Sequence, residues 1–259
     1  MRLVGLLLLA TASLSCALTR GIPSAPTQAE SCEANEEAHS YYALQGLDHG
    51  LIQSPVNILS DATDEGSHAV HLAFERRGTR SIVNKGHTVE LQFPRGLAIT
   101  FDDRTYEAIQ THFHTPSEHH IDGVTYPMEM HVVSTAPPLE PEAPPEYLVV
   151  SLLFRMGPPN PFIEDVLRTI PSNVGVVQST QPLIVADLFE GGRAGLLRAL
   201  HSFFHYRGSL TTPPYSETVE WLVLKHVFTA SPAQIEALNA IEGDNARPIQ
   251  MLFGRSIDE

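Results

Sequence analysis

From about residue 39 onward, the chain alternates short runs of β-branched and aromatic residues with turn signals. Runs bounded by Gly, Pro, Asn or Asp read as strands at 88–93, 97–101, 109–114, 129–134, 147–154 and 219–223. The run from Tyr147 to Phe154 is continuously apolar, as expected of a strand covered on both faces. Helical signals are fewer. Ser231-Pro232 reads as an N-cap followed by proline, with Ile235, Leu238 and Ile241 at helical spacing. Asn160-Pro161 repeats that start before 162–170, and 195–200 reads as a third, short helix. The stretch 137–145 contains five prolines and is expected to be a surface loop. No change of pattern divides 39–259, so this span is expected to form one domain with a large, strand-dominated sheet.

Residues upstream follow a different pattern. Arg2 precedes an apolar stretch from Leu3 to Leu14, and the small residues Ser13, Ser15, Cys16 and Ala17 close it. This is the layout of an export signal over 1–17, too short to span a bilayer comfortably. Two processing routes fit: cleavage after Ala17, or lipid modification of Cys16, which would tie the chain to a membrane. Residues 18–38 are rich in Pro, Ser, Ala and Glu and read as a disordered spacer. The expected location is periplasmic or extracellular. Cys16 and Cys32 are the two cysteines, so removing the signal leaves Cys32 without a partner in its own chain, and no internal disulfide is expected. Thirty acidic against sixteen basic residues, a formal charge of −14 with no basic cluster, argue against a nucleic-acid partner. Nothing in the sequence sets an oligomeric state.

The chemistry concentrates in two stretches. In a strand, residues two apart share a face, so His112 and His114 present adjacent imidazoles, and Glu129 and His131 likewise share a face. Three neutral imidazoles converging on one point make a tetrahedral zinc site with an open fourth position. Gln110 and Glu129 lie two residues from His112 and His131 and are placed to accept a ring N–H, which orients a ligand and tunes its basicity. The other histidines read differently. His119, His120, His201 and His205 are expected to be structural or exposed, and His68 and His71 carry no signal.

Five motifs occur in one order: Gln53-Ser54-Pro55-Val56-Asn57-Ile58, Gly86-His87, His112-Phe113-His114-Thr115-Pro116-Ser117-Glu118-His119, Glu129-Met130-His131, and Ser209-Leu210-Thr211-Thr212-Pro213-Pro214. This series resembles the α-class carbonic anhydrases, in the style of exported bacterial members, over about 39–259. The resemblance implies an α+β, β-dominated fold: one domain on a large, mainly antiparallel central sheet with short peripheral helices. It implies reversible hydration of carbon dioxide to bicarbonate by zinc-bound hydroxide. His112, His114 and His131 match the zinc ligands. Glu118 and Thr211 match the pair that orients the hydroxide, and His87 matches the proton shuttle. Gln110, Glu129 and Asn245 match partners behind the ligands. Val133, Val149, Leu210, Thr212, Val219 and Trp221 match the wall that holds carbon dioxide.

Three features depart from the family pattern. The N-terminal segment is shortened to His39-Ser40-Tyr41-Tyr42, Tyr215 stands where exported members carry a disulfide cysteine, and the 137–145 loop reads as an insertion. A zinc hydrolase of esters and a non-catalytic binding module on the same fold are the rival readings. The three retained histidines argue against the second.

Overall fold

Two long neighbouring strands carry the centre of the molecule. They are β6, Arg104–His114, and β9, Met128–Ala136, and they pair antiparallel. In the computed structural model, residues 50–73, 81–93, 97–138, 142–178, 183 and 192–259 are described. The expectations for 1–17 with Cys16, 18–38 with Cys32, 39–42 and residues 139–141 of the proline loop lie outside the described residues.

The remaining strands are β1 Asn57–Ile58, β2 Val70–Ala73, β3 Ser81–Asn84, β4 Val89–Gln92, β5 Ala98–Phe101, β7 His120–Ile121, β8 Val124–Thr125, β10 Glu146–Met156, β11 Gly175–Gln178, β12 Phe203–Gly208, β13 Val219–Leu224 and β14 Phe228–Ala230. The helices are α1 Pro161–Thr169, α2 Arg193–Ala199 and α3 Pro232–Glu242. The main sheet runs β11-β3-β4-β6-β9-β10-β13-β12, with β14 also on β10 and β5 bridging β2 to β6. Its pairs are antiparallel except β10 with β13 and with β14, so the sheet is mixed and mostly antiparallel. A small sheet, β1-β7-β8, lies beside it.

The strand runs read from the sequence are all present; β4 and β5 are slightly shorter than expected, β6 and β13 longer at one end, and β9 and β10 longer at both. β6 begins at Arg104, five residues before the run at 109, because Arg104–Phe101 and Thr105–Thr100 pairs extend it into a hairpin with β5. The short strands β1, β2, β3, β7, β8, β11, β12 and β14 were not singled out from the sequence. At two to six residues they carry too little alternation to register locally and exist because a neighbour pairs with them.

Two cores lie on opposite faces of the sheet. One gathers Phe113, Met130, Val132, Leu148, Val150, Leu152, Phe154, Leu222 and Leu224 under α1 and α3 through Phe162, Ile163, Val166, Ile235 and Leu238. The other gathers Val133, Val149, Leu153, Tyr206, Val219, Trp221 and Val223 with Val56 and Ile58. β10 contributes to both, which accounts for its unbroken apolar run. Both long helices begin as expected. The Asn160 side chain accepts from the Phe162 and Ile163 amides, and Ser231 with Gln234 forms a reciprocal capping box.

Candidate metal centre

The site is built on the second face by a single irregularity. Up to Ala108, β6 pairs Glu107 with Thr135 and Ala108 with Ser134; beyond it, Gln110 faces Val133 and His112 faces His131. Ile109 is the extra residue. A one-residue slip moves every following side chain to the other face. Continued without the bulge, the register would set His112 opposite Met130, a core residue of the far side. With it, Gln110, His112 and His114 stand beside Val133, His131 and Glu129.

The three imidazoles converge, with ring centroids 4.7–5.2 Å apart. One nitrogen of each lies within 4.8 Å of the others. The opposite nitrogens are engaged behind the ring. His112 Nδ1 lies 2.9 Å from Gln110 Oε1, and His131 Nε2 lies 2.7 Å from Glu129 Oε1. His114 Nδ1 is 3.4 Å from the Asn245 main-chain oxygen. These contacts aim His112 Nε2, His114 Nε2 and His131 Nδ1 inward. His114 Nε2 is buried without a hydrogen-bond partner, which leaves its lone pair available to a ligand. Three neutral nitrogens, one of them orphaned, fit a zinc ion with its fourth position open.

Burial keeps the rings neutral. It pushes His112 well below its ordinary value, with His114 and His131 adding to the effect. It carries His114 down to about 4 and lowers His131 despite the nearby Glu129 charge. Glu129 itself stays ionised. Burial opposes that, but His119 and His131 outweigh it and hold its carboxyl well below the usual range. Its two oxygens accept from His131, His119 Nδ1 (2.6 Å), Ser151 Oγ (2.6 Å) and the amides of Glu118 and His119 (2.8 and 2.7 Å). His119 passes on to the Tyr206 hydroxyl at 2.6 Å, and Tyr206 donates to Ser54 Oγ at 3.0 Å. Glu118 is the contrasting carboxyl. Burial raises it to about 7 against the pull of His131, the Arg247 amide and the Thr211 side chain. Its Oε1 accepts from Arg247 N at 2.9 Å, and its Oε2 lies 3.5 Å from His114 Nε2.

A cavity of about 190 Å³ opens above His112 and His131, lined by Ile109, Gln110, Val133, Tyr147, Val149, Leu210, Thr211, Thr212 and Trp221. Of the residues expected in its wall, Val219 alone is not in the lining. It packs in the core behind, opposite Tyr147, which takes a place in the wall instead. His87 is exposed on the β3–β4 hairpin, where Gly86 at φ +85° makes the turn. The Asn245 amide reaches the His87 carbonyl at 3.3 Å and the Phe113 carbonyl at 3.1 Å.

The loop holding Thr211 is braced without a cysteine. Ser54 N donates to Ser209 Oγ (2.9 Å), and Ser209 N donates to Ser54 Oγ (3.0 Å). Gln53 Nε2 reaches Glu217 Oε1 (2.9 Å) and the Tyr215 carbonyl (3.3 Å). The Arg247 guanidinium lies 3.9 Å from the Tyr215 ring centre, so the residue in the cysteine's place joins the brace by cation–π contact. A Cβ on Gly208 would stand 2.1 Å from Ser54 Oγ, so only glycine lets the two segments close. Ser151, Tyr147, Tyr206 and Arg247 were not legible as site residues. None carries a spacing signal, and each acts through a partner distant in the chain.

A cage of three imidazoles on a large mixed sheet fits the class of enzymes whose metal keeps a free fourth position. The chain belongs to the eukaryotic-type carbonic anhydrase family, whose family model matches residues 39–259. It is 37% identical over 209 residues to a carbonic anhydrase of Pectobacterium atrosepticum, covering 80% of each chain. It is 34% identical to one of Neisseria gonorrhoeae, covering 81% of this chain and 78% of that one. The solved α-carbonic anhydrase of Photobacterium profundum superposes with a TM-score of 0.72 at 35% identity, over 86% of this chain and 95% of that one. The chain is thus a carbonic anhydrase-type enzyme, and its family reaction is carbon dioxide hydration.

Proposed function

We propose that the protein hydrates carbon dioxide reversibly with one zinc ion held by His112, His114 and His131. The buried His114 Nε2, without a hydrogen-bond partner and within 4.8 Å of a ring nitrogen of both His112 and His131, carries this reading. Zinc bound there would lower the pKa of its bound water to about 7. Neutral ligands matter, because a carboxylate in place of one imidazole would cancel part of the metal charge. Gln110, Glu129 and the Asn245 carbonyl hold the three rings in the required tautomers.

The remaining steps belong to the chain's own side chains. Thr211, with Glu118 behind it, orients the reacting oxygen by holding its proton away from the substrate carbon. Carbon dioxide, apolar and small, occupies the 190 Å³ cavity against Val133, Val149, Leu210 and Trp221. Thr212 stands at its rim. His87 relays the released proton to solvent, a task suited to an exposed imidazole. Residues 1–17 support export of the enzyme, followed by cleavage or by lipid attachment at Cys16; a Cys16→Ala variant that still partitions with membranes would refute the anchor.

The test is zinc content measured together with carbon dioxide hydration, with and without a sulfonamide and before and after chelation. One zinc at the His112–His114–His131 centre of each chain, with activity lost on chelation and restored by zinc, is expected. Full hydration by the metal-free protein would refute the reading, and turnover of esters with none of carbon dioxide would favour the hydrolase.

A further inference from the structure

A second set of histidines and carboxylates gathers where the loop before β2, the β5–β6 turn, strand β12 and the last residues meet. His68 Nε2 lies 3.0 Å from Asp258 Oδ1. His205 Nδ1 lies 3.1 Å from the same oxygen and 3.3 Å from Oδ2. The outer nitrogens are backed as well: His68 Nδ1 by Asp102 Oδ2 at 2.6 Å, and His205 Nε2 by Glu220 Oε2 at 2.8 Å. The two rings meet edge to face at 4.4 Å, and His68 stacks on Phe101 at 4.9 Å, which sets its plane.

Counting hydrogens shows what the cluster lacks. A neutral imidazole has one N–H, yet each of these rings has both nitrogens against carboxylate oxygens. One nitrogen of each ring must therefore take a second proton or offer its lone pair to a cation. The inner nitrogens and the Asp258 carboxylate already converge, each ligand atom within 4.8 Å of the others. Zinc bonds of about 2.0–2.1 Å in tetrahedral geometry put ligand atoms about 3.3 Å apart, close to the 3.0–3.3 Å found between Asp258 and the two rings. Asp102 and Glu220 stand where carboxylates stand behind metal-bound imidazoles, fixing the rings and raising their basicity. Charge matches too, since one divalent cation replaces two ring protons without altering the net charge.

We propose that His68, His205 and Asp258 form a second site for a divalent transition-metal ion, separate from the His112–His114–His131 cage. Two imidazoles and a carboxylate suit zinc. The His68 side chain is 16% exposed and borders a cavity of about 260 Å³ shared with His201, Lys225 and Glu259, which provides access and room for a water ligand. The ion's role is structural. It ties the C-terminal residues to β12 and to the loop before β2, segments 53 and 190 residues distant in the chain.

Zinc alone is the probe. The holoenzyme is dialysed against micromolar zinc, and metal per chain is measured by elemental analysis. Two ions are expected in the wild type and one in both His68→Gln and Asp258→Asn, while His71→Gln, which removes an exposed histidine, keeps two. Added zinc should raise the Tm of the wild type but not of His68→Gln. Unchanged carbon dioxide hydration in His68→Gln shows that its fold and first centre persist; were that variant to misfold, Asp258→Asn carries the test. His114→Ala should lower the count from two to one, so failure of the catalytic reading is seen separately. A wild type that stops at one ion at the first centre, or two ions retained in both His68→Gln and Asp258→Asn, would overturn the second site.

Discussion

The two histidine clusters move an imidazole in opposite directions, His114 down and His68 up. In the pocket cage His114 and His131 are buried, and burial carries His114 down to about 4 although Glu129 is close by. At the C-terminal cluster burial also lowers His68, but hydrogen bonds to Asp102 and Asp258 outweigh it, and the ring ends above its ordinary 6.5. Depth of burial decides the sign. A carboxylate favours imidazolium in both places, but only at the shallower site is the cost of desolvating the charge small enough for it to prevail. Glu129, moreover, spreads its charge over five donors, whereas the Asp258 carboxylate meets two rings among the described residues.

The largest break in this comparison is His114→Ala. It leaves two inward nitrogens, and hydration should fall by more than about 100-fold with zinc lost, since even partners behind a ligand are worth roughly 10- to 100-fold in metal affinity. A zinc content in that variant equal to the wild type's, by elemental analysis, would contradict the cage.

Acid titration of stability sharpens the contrast. In the unfolded chain His114 takes its proton near 6.5, and in the folded, metal-free protein near 4. Between these values the unfolded state binds more protons, so metal-free stability is intact above pH 6.5 and declines as pH falls toward 4. His114 alone accounts for on the order of 3 kcal/mol of that decline. His68 runs the other way: its contribution is fully present below pH 6.5 and is lost as pH rises through its raised value. Urea unfolding of the metal-free protein should therefore show His68→Gln costing more at pH 6 than at pH 9; an equal cost at both would remove the difference between the clusters.

Smaller effects test the residues around the cage. Thr211→Ala should keep zinc and lower kcat/KM by roughly 10- to 100-fold, through loss of a positioning hydrogen bond; an unchanged rate would reduce Thr211 to a turn residue. His87→Ala should lower kcat by about tenfold, with kcat/KM nearly intact and imidazole buffer restoring the loss. A parallel fall in both constants would mean that His87 shapes the site and moves no proton.

Much of this molecule was open to local reading. The strands at 109–114, 129–134 and 147–154 follow from alternation and an apolar run, and both N-capped helices follow from Asn160-Pro161 and Ser231-Pro232. The pairs His112/Gln110 and His131/Glu129 follow from the period of two in a strand. Tyr215 as a cation–π brace, Tyr147 in the pocket wall and Ser151 behind Glu129 were hidden, because each is meaningful only through a partner distant in sequence.

By itself, then, the sequence determined which residues share a strand face, where the helices begin, and through its ordered motifs which family of folds and reactions the chain belongs to. Whether the two histidine faces meet was decided only in three dimensions. The bulge at Ile109 shifts the β6–β9 register by one residue and turns His112 toward His131, away from Met130. The His68–His205–Asp258 cluster was settled in the same way, since Asp258 reaches both rings across 190 and 53 residues of chain. Side-chain direction within a strand is a local property of the backbone, but register and long-range closure are set by the sum of packing on both faces of a sheet, which no short stretch of sequence contains.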